Sequence, residues 1–126
     1  MKKILALPLL AAAVLFAGAA GAQNKPASPP ATASQKIESG ATITINYSQP
    51  SVKGRTIGKN LEPLPGIVWR TGANEASVFE TDKDITVQGQ PLAAGQYGLF
   101  TLVNDSGEWT VIFNKTWKQW GAFNYK

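Results

Sequence analysis

Hydrophobic and polar residues alternate along most of the chain beyond residue 40. Ile43, Ile45 and Tyr47 alternate with threonine and asparagine, a period of two that places apolar side chains on one face of a β-strand. Comparable runs rich in β-branched and aromatic residues predict further strands at 77–81, 85–87, 96–103 and 108–113. No stretch shows the apolar stripe and caps of an amphipathic helix. We therefore predict an all-β fold, an antiparallel β-sandwich.

Short polar segments separate the predicted strands. Asp82-Lys83-Asp84 is predicted to join two strands into a hairpin at a solvated edge, and Gln88-Gly89-Gln90-Pro91 to form a turn. Asn104-Asp105-Ser106-Gly107 predicts a second hairpin between the last two strands. The chain stops in a strand-like segment with no polar tail, and natural sheets avoid exposed apolar edges. We therefore expect the domain to be incomplete at its C-terminus.

The N-terminal region has the pattern of an export signal. Lys2 and Lys3 precede an apolar stretch, and Ala20-Gly21-Ala22 is a small-residue cleavage site, so residues 1–22 are predicted to be a signal peptide. No cysteine follows that could carry a lipid. A periplasmic or secreted protein without a transmembrane anchor after cleavage is expected.

The segment at 23–34 is rich in proline, alanine, serine and threonine. This composition buries little apolar surface, so the segment is predicted to be a disordered linker. A single β-sandwich domain is then expected over 35–126.

The charge of the chain argues against two classes of partner. Its 12 basic and 8 acidic side chains give a net charge of +4. Loss of Lys2 and Lys3 with the signal leaves 10 basic side chains against 8, a net charge of +2. The remaining charges alternate in sign, which is no footprint for nucleic acid and a weak one for an anionic membrane.

The chain contains neither cysteine nor histidine. Disulfides, the usual zinc and copper ligands and the commonest general base are therefore missing, and no cofactor or metal is predicted. The core must depend on apolar packing, for which the four tryptophans, five phenylalanines and three tyrosines are the main resource, although Phe16 leaves with the signal. Trp69 and Trp109, within apolar strand contexts, are expected in this core.

Arg55, Arg70, Asn74 and Glu75 are candidate ligand-binding residues. As a polar pocket, the guanidinium groups would hold a carboxylate, a sulfate or a sugar hydroxyl, with Asn74 and Glu75 as directional partners. In the alternative interpretation, a buried Arg–Glu pair pins the loop to the sheet and Asn74 bonds to backbone in an Asx-turn. The structural interpretation is favoured because polar networks commonly stabilise loops.

Trp117 and Trp120 lie three positions apart among lysine, glutamine and glycine. Flat aromatic faces on an exposed loop are suited to sugar rings or cationic ligands. The alternative, which we favour, is that they cover the open end of the sandwich or pack beneath further strands.

Catalytic groups are few. Glu75 with Glu80, Asp82 or Asp84 could form the carboxylate pair of a glycoside hydrolase, although their spacing does not demand it. A serine nucleophile would have only Lys53 as its base. An enzyme is therefore less favoured than a binding protein.

Several segments together carry a family resemblance. They comprise Ile45-Asn46-Tyr47-Ser48, Pro50 to Arg55, Val68 to Ala76, Leu92, Ala94-Gly95, Tyr97, Leu99-Phe100-Thr101, Trp109 to Lys115 and Trp120 to Tyr125. Through them the chain resembles the bacterial family called domain of unknown function 2911, over nearly all of 35–126. The resemblance implies a secreted all-β domain with no established activity. The chain departs from the family pattern in lacking aromatic residues at 57–66 and in not continuing beyond 124–125 with further strands.

These observations predict a non-enzymatic binding or interaction module whose ligand is a cell-envelope glycan or a protein. The alternative is a carboxylate-dependent hydrolase that acts on glycans. A third possibility is an accessory module with no small ligand.

Overall fold

The computed structural model describes residues 26–125. Within this range the chain forms seven β-strands: β1 (Pro30–Lys36), β2 (Thr42–Ser48), β3 (Ser77–Thr81), β4 (Ile85–Val87), β5 (Gln90–Leu92), β6 (Gly95–Val103) and β7 (Trp109–Asn114). No helix long or apolar enough to cross a membrane is found between residues 26 and 125. The predicted signal peptide, 1–22, lies outside the described residues.

The strands form two antiparallel sheets. The larger has five strands in the order β1-β2-β3-β6-β7, and the smaller pairs β4 with β5. Val87 and Leu92 of the smaller sheet line one hollow together with Val111 and Phe113 of β7. The smaller sheet therefore lies beside one face of the larger one. The predicted all-β, antiparallel and sandwich-like architecture is confirmed.

The register of the large sheet explains the alternation in the sequence. Ile45, Phe79 and Tyr97 are direct neighbours on three adjacent strands, so their side chains share one face. The Phe113 ring makes edge-to-face contacts there, with its centroid 4.9 Å from that of Phe79 and 6.2 Å from that of Tyr97. This apolar face is the one that the spacing of Ile43, Ile45 and Tyr47 predicts.

Strand β1 differs from the prediction of a disordered linker over 23–34. Residues 30–34 pair along β2, and the Thr32 and Ser34 hydroxyls contact the Asn46 and Thr44 side chains across the ladder at 2.7 and 3.1 Å. Backbone hydrogen bonds to β2 and these polar contacts order a segment that has few apolar side chains to bury. Pro30 occupies the first position of an edge strand, where its missing N–H is tolerated.

The hairpin predicted at 82–84 is wrong. Strand β3 pairs with β2 and β6 in the middle of the sheet, while β4 pairs with β5. The Asp82 carboxylate accepts a hydrogen bond from the Thr42 backbone N–H at 2.7 Å, and the Thr81 hydroxyl donates to the Lys83 carbonyl at 2.7 Å. These bonds direct the chain out of the sheet instead of back along β3.

The predicted turn at 88–91 is shorter in the structure. Gln88 and Gly89, with φ of 48° and 77°, connect β4 to β5, and Gln90 and Pro91 belong to β5. Positive φ at both central residues is the conformation that two-residue hairpin loops prefer. The hairpin predicted between 96–103 and 108–113 is confirmed by the pairing of β6 with β7.

The fully buried residues cluster at the centre of the large sheet. Phe100 is completely buried, and its ring centroid lies 5.3 Å from that of Tyr125. Trp69 is half-buried, and its indole N–H donates to the Gly72 carbonyl at 3.1 Å. Trp109 is 51% exposed, so its predicted place in the core is wrong. It begins β7, which among the described strands has a neighbour on one side only.

Candidate functional site

Residues 71–76 form a loop that leaves the large sheet and returns to it. Before the loop, Trp69 forms an antiparallel bridge with Thr101 of β6. After the loop, the Ser77 N–H donates to the Arg70 carbonyl at 3.1 Å. A Cβ on Gly72 would lie 2.8 Å from the Ser77 hydroxyl and 3.2 Å from the Ser48 carbonyl. A larger residue does not fit at position 72, so glycine permits this close approach of the loop to the sheet.

The C-terminal segment, residues 116–125, lies against this loop. The Ala76 N–H donates to the Gln119 carbonyl at 2.9 Å, and the Gly121 N–H donates to the Asn74 carbonyl at 3.1 Å. The two bonds flank an antiparallel bridge between Glu75 and Trp120. The backbone ladder therefore fixes Glu75 beside Trp120, although the two residues are far apart in the sequence.

Gly98 supports the other end of the C-terminal segment. A Cβ at this position would lie 3.1 Å from the Thr116 carbonyl and 3.4 Å from the Trp117 Cα. The segment thus rests directly on the backbone of β6, and Trp117 follows at once. A glycine within a strand often marks such a close backbone approach.

The loop, β3 and the C-terminal segment enclose a cavity of about 300 Å³ that is open to solvent. Trp120 is 59% exposed and Trp117 is half-buried. The Lys118 ammonium lies 5.4 Å from the centroid of the Trp117 ring, a cation–π contact. The lining residues are Glu75, Ala76, Val78, Trp117, Lys118, Gln119 and Trp120. The cavity therefore has two aromatic walls, one carboxylate, one ammonium and one amide.

Three of the six predicted ligand-binding residues, Glu75, Trp117 and Trp120, line this cavity. Asn74 adjoins it through its backbone carbonyl and has a φ of 61°, and its side-chain amide donates to the Ser28 carbonyl at 3.4 Å. An Asn tolerates this left-handed conformation better than most residues. Asn74 therefore shapes the loop that presents Glu75.

The two arginines lie outside the lining. Arg70 is half-buried, and its guanidinium lies 3.8 Å from the Glu62 carboxylate, so the predicted Arg–Glu pair forms with Glu62 instead of Glu75. Its Nε is buried without a hydrogen-bond partner among the described residues. Arg55 donates to the Val52 carbonyl at 3.1 Å and to the Ser51 carbonyl at 2.6 Å, so it closes its own exposed turn.

Val78, Lys118 and Gln119 line the cavity but were not predicted. Val78 carries a sequence signal, because strand alternation places it on the same face as the charged Glu80 and opposite Phe79. An apolar residue on the polar side of a strand indicates a contact with something outside the sheet. For Lys118 and Gln119, the one feature of the sequence that indicates a place in the cavity is their position between the two tryptophans.

The carboxylates proposed for catalysis are separated from Glu75. Glu80 accepts a hydrogen bond from the Gln96 amide at 3.1 Å, and Asp84 accepts one from the Ala94 backbone N–H at 2.8 Å. With Asp82 bonded to Thr42, each of the three interacts with a neighbouring strand or loop. Among residues 26–125, Glu75 is the one carboxylate that lines the cavity. Between residues 26 and 125 no cluster of acidic side chains is arranged to hold a metal ion.

The two antiparallel sheets and the tryptophan-walled cavity define a sandwich-like all-β protein with a small open site. The chain belongs to the family described as "Protein of unknown function (DUF2911)", whose model matches residues 28–126. The matched range includes the whole of β1. No curated protein and no solved structure matches the chain.

Proposed function

We propose that this protein is a non-enzymatic binding module of the cell envelope, and that it binds a glycan in the cavity between Glu75 and Trp120. The single observation that carries the proposal is the pair of accessible tryptophans above a floor that contains Val78. Binding sites for small ligands are concave, largely apolar and supplied with a few directional polar groups. Sugar rings have apolar C–H faces and hydroxyl edges, which match these two kinds of surface.

The polar groups at the rim support a neutral or weakly charged ligand. Glu75 and Lys118 offer an acceptor and a donor. The Gln119 amide is less available, because its N–H donates to the Thr116 carbonyl and its oxygen is buried. The charges of Glu75 and Lys118 are opposite, so the site attracts neither sign strongly. A volume of about 300 Å³ is at the lower end for small-ligand sites, which suits one or two sugar rings.

The geometry favours binding over hydrolysis. Glycoside hydrolysis ordinarily needs two carboxyl groups on either side of the scissile bond. Within the part of the chain that the structure describes, Glu75 is the one carboxylate in the cavity lining, and Glu80, Asp82 and Asp84 are bonded elsewhere. The predicted export of the chain supports the proposal, because it would bring the protein to the glycans of the cell envelope.

A glycan-binding assay tests the proposal. The purified protein is screened against cell-wall polysaccharides and their oligosaccharides, and affinities are measured by titration calorimetry. Trp120→Ala should lower the affinity by about tenfold or more, which corresponds to ~1.4 kcal/mol. Trp109→Ala is the matched control, because Trp109 is similarly exposed but does not line the cavity. Equal affinities of wild type and Trp120→Ala, or no binding to any glycan, would refute the proposal.

A second assay addresses catalysis. Wild type and Glu75→Gln are incubated with a panel of chromogenic glycosides, and we expect no turnover by either protein. The exposed Glu75 side chain makes no ion pair among the described residues, so Glu75→Gln should leave the urea midpoint unchanged. Turnover by wild type that Glu75→Gln abolishes would establish the hydrolase instead.

A further inference from the structure

A second hollow of about 200 Å³ adjoins the cavity. It shares Glu75, Ala76 and Val78 with the cavity. Its remaining lining comes from β1 and the end of β2: Pro30, Ala31, Thr32, Asn46, Tyr47 and Ser48. The two hollows are therefore neighbours at β3, with these three residues between them.

The strand register places the floor of both hollows on one line. Thr32 pairs with Asn46, Asn46 with Val78, and Val78 with Gly98. Directly opposite residues of antiparallel strands point to the same face, so this row crosses four strands on a single surface. With strands about 4.8 Å apart, the row is roughly 14 Å long from Thr32 to Gly98.

The row ends differently on its two sides. At Gly98 it ends beneath the Trp117 backbone, whose Cα would lie 3.4 Å from a Cβ on the glycine. At Thr32 it reaches β1, the outermost strand of the sheet. Among residues 26–125, the surface therefore has an aromatic wall at one end and an open end at the sheet edge.

The side chains along the open half are neutral and hydrogen-bonding. The Thr32 hydroxyl donates to the Asn46 amide oxygen at 2.7 Å, which leaves the two N–H groups of that amide directed to no acceptor among the described residues. In the next row, outside the lining of both hollows, the Ser34 and Thr44 hydroxyls lie 3.1 Å apart, and Thr44 pairs with Glu80 on β3. Hydroxyl and amide groups both donate and accept, which suits the hydroxyl groups of sugars.

We propose that the two hollows form one groove, and that the groove binds an extended, uncharged polysaccharide lying across β3, β2 and β1. This inference rests on the proposed glycan-binding function and specifies its ligand. One sugar ring occupies the cavity between Trp117 and Trp120, and following rings contact Asn46 and Thr32. Because the groove is closed beneath Trp117 and runs to the sheet edge at β1, the end of a long chain occupies the cavity and the rest of the chain extends past β1.

The test compares ligands of increasing length. A neutral polysaccharide that wild type binds is cut into oligosaccharides of increasing length, and each is titrated into wild type, Asn46→Ala, Thr32→Val and Trp120→Ala. Thr110→Val is the matched control, since Thr110 is also exposed on a strand but does not line the groove. Urea midpoints of all variants verify that they fold.

We expect the affinity of wild type to increase by about tenfold from the shortest ligand to the longest. Asn46→Ala and Thr32→Val should remove most of this increase and leave the shortest ligand unaffected. Trp120→Ala should weaken binding at every length, and Thr110→Val should behave as wild type.

Three results would overturn the groove. The first is that the affinity of wild type does not change with ligand length. The second is that Asn46→Ala and Thr32→Val both keep the length dependence of wild type. The third is that an anionic polysaccharide binds more tightly than the neutral one. In each case a loss of binding in Trp120→Ala would still support the glycan site itself. If no glycan binds, the proposed function and the groove fail together.

Discussion

Substitution of Phe100 by alanine tests how the C-terminal segment is held on the sheet. Phe100 is completely buried on β6, and its ring packs against Tyr125 with centroids 5.3 Å apart. It also lies under Gly98, where a Cβ would come 2.9 Å from the ring. Its side chain therefore forms an apolar contact between the sheet and residues 116–125.

The expected cost is large. Removal of a buried phenylalanine side chain destabilises a protein by about 3–5 kcal/mol, since both transfer energy and a cavity contribute. A domain of this size unfolds with a free energy of roughly 5–15 kcal/mol. Phe100→Ala should therefore remove a large part of the stability, and it should loosen Trp117 and Trp120.

Equilibrium urea denaturation followed by tryptophan fluorescence measures this cost. Phe123→Ala is the matched control, because Phe123 belongs to the same segment but is 83% exposed. Its substitution should change the free energy of unfolding by no more than about 0.5 kcal/mol. Phe100→Leu provides a milder variant if Phe100→Ala does not fold.

The comparison between the two phenylalanines decides the outcome. If Phe100→Ala and Phe123→Ala shift the urea midpoint equally, or if Phe100→Leu costs nothing, Phe100 does not anchor the segment. The backbone bonds between residues 74–76 and 119–121 would then hold the segment without help from Phe100.

Two further substitutions test local geometry. Gly98→Ala should lower the free energy of unfolding by about 1–3 kcal/mol, because the added methyl group would overlap the Phe100 ring and the Thr116 carbonyl. The substitution should also shift the fluorescence of Trp117. Unchanged stability and fluorescence would contradict this contact. Gln88→Asn should raise the free energy of unfolding, measured by urea denaturation, by a few tenths to about 1 kcal/mol. The reason is that φ is positive at both Gln88 and Gly89, and asparagine before glycine suits such a turn. A lower urea midpoint would contradict the turn assignment.

Local patterns in the sequence were sufficient for most strands. The alternation around Ile45 predicted β2, and the asparagine- and glycine-containing turn at 104–107 predicted the pairing of β6 with β7. Both signals act over a few residues, since side chains of a strand alternate between faces and a tight turn joins neighbours in the chain.

Pairing between distant strands was not predictable in this way. Strands β3 and β4 follow one another closely, yet β3 pairs with β6, and β4 belongs to another sheet. Strand β1 has the composition of a linker and is ordered by its hydrogen bonds to β2. Choice of partner depends on which edge is available in the folded sheet, and no short segment contains that information.

The candidate site was likewise predictable only in part. Residue type alone selected Glu75, Trp117 and Trp120, whose side chains suit recognition of a polar ligand with flat faces. It also selected Arg55, whose donors bond to carbonyls of its own turn.

By itself, the sequence determined that the chain is all-β, which residues alternate in its strands and which side chains are chemically able to bind a ligand. Only the tertiary structure decided that Glu75 lies beside Trp120 and that Thr32, Asn46 and Val78 form one row. The physical reason is that these neighbours are set by backbone hydrogen bonds between segments distant in the chain, formed when the sheet and the C-terminal segment assemble.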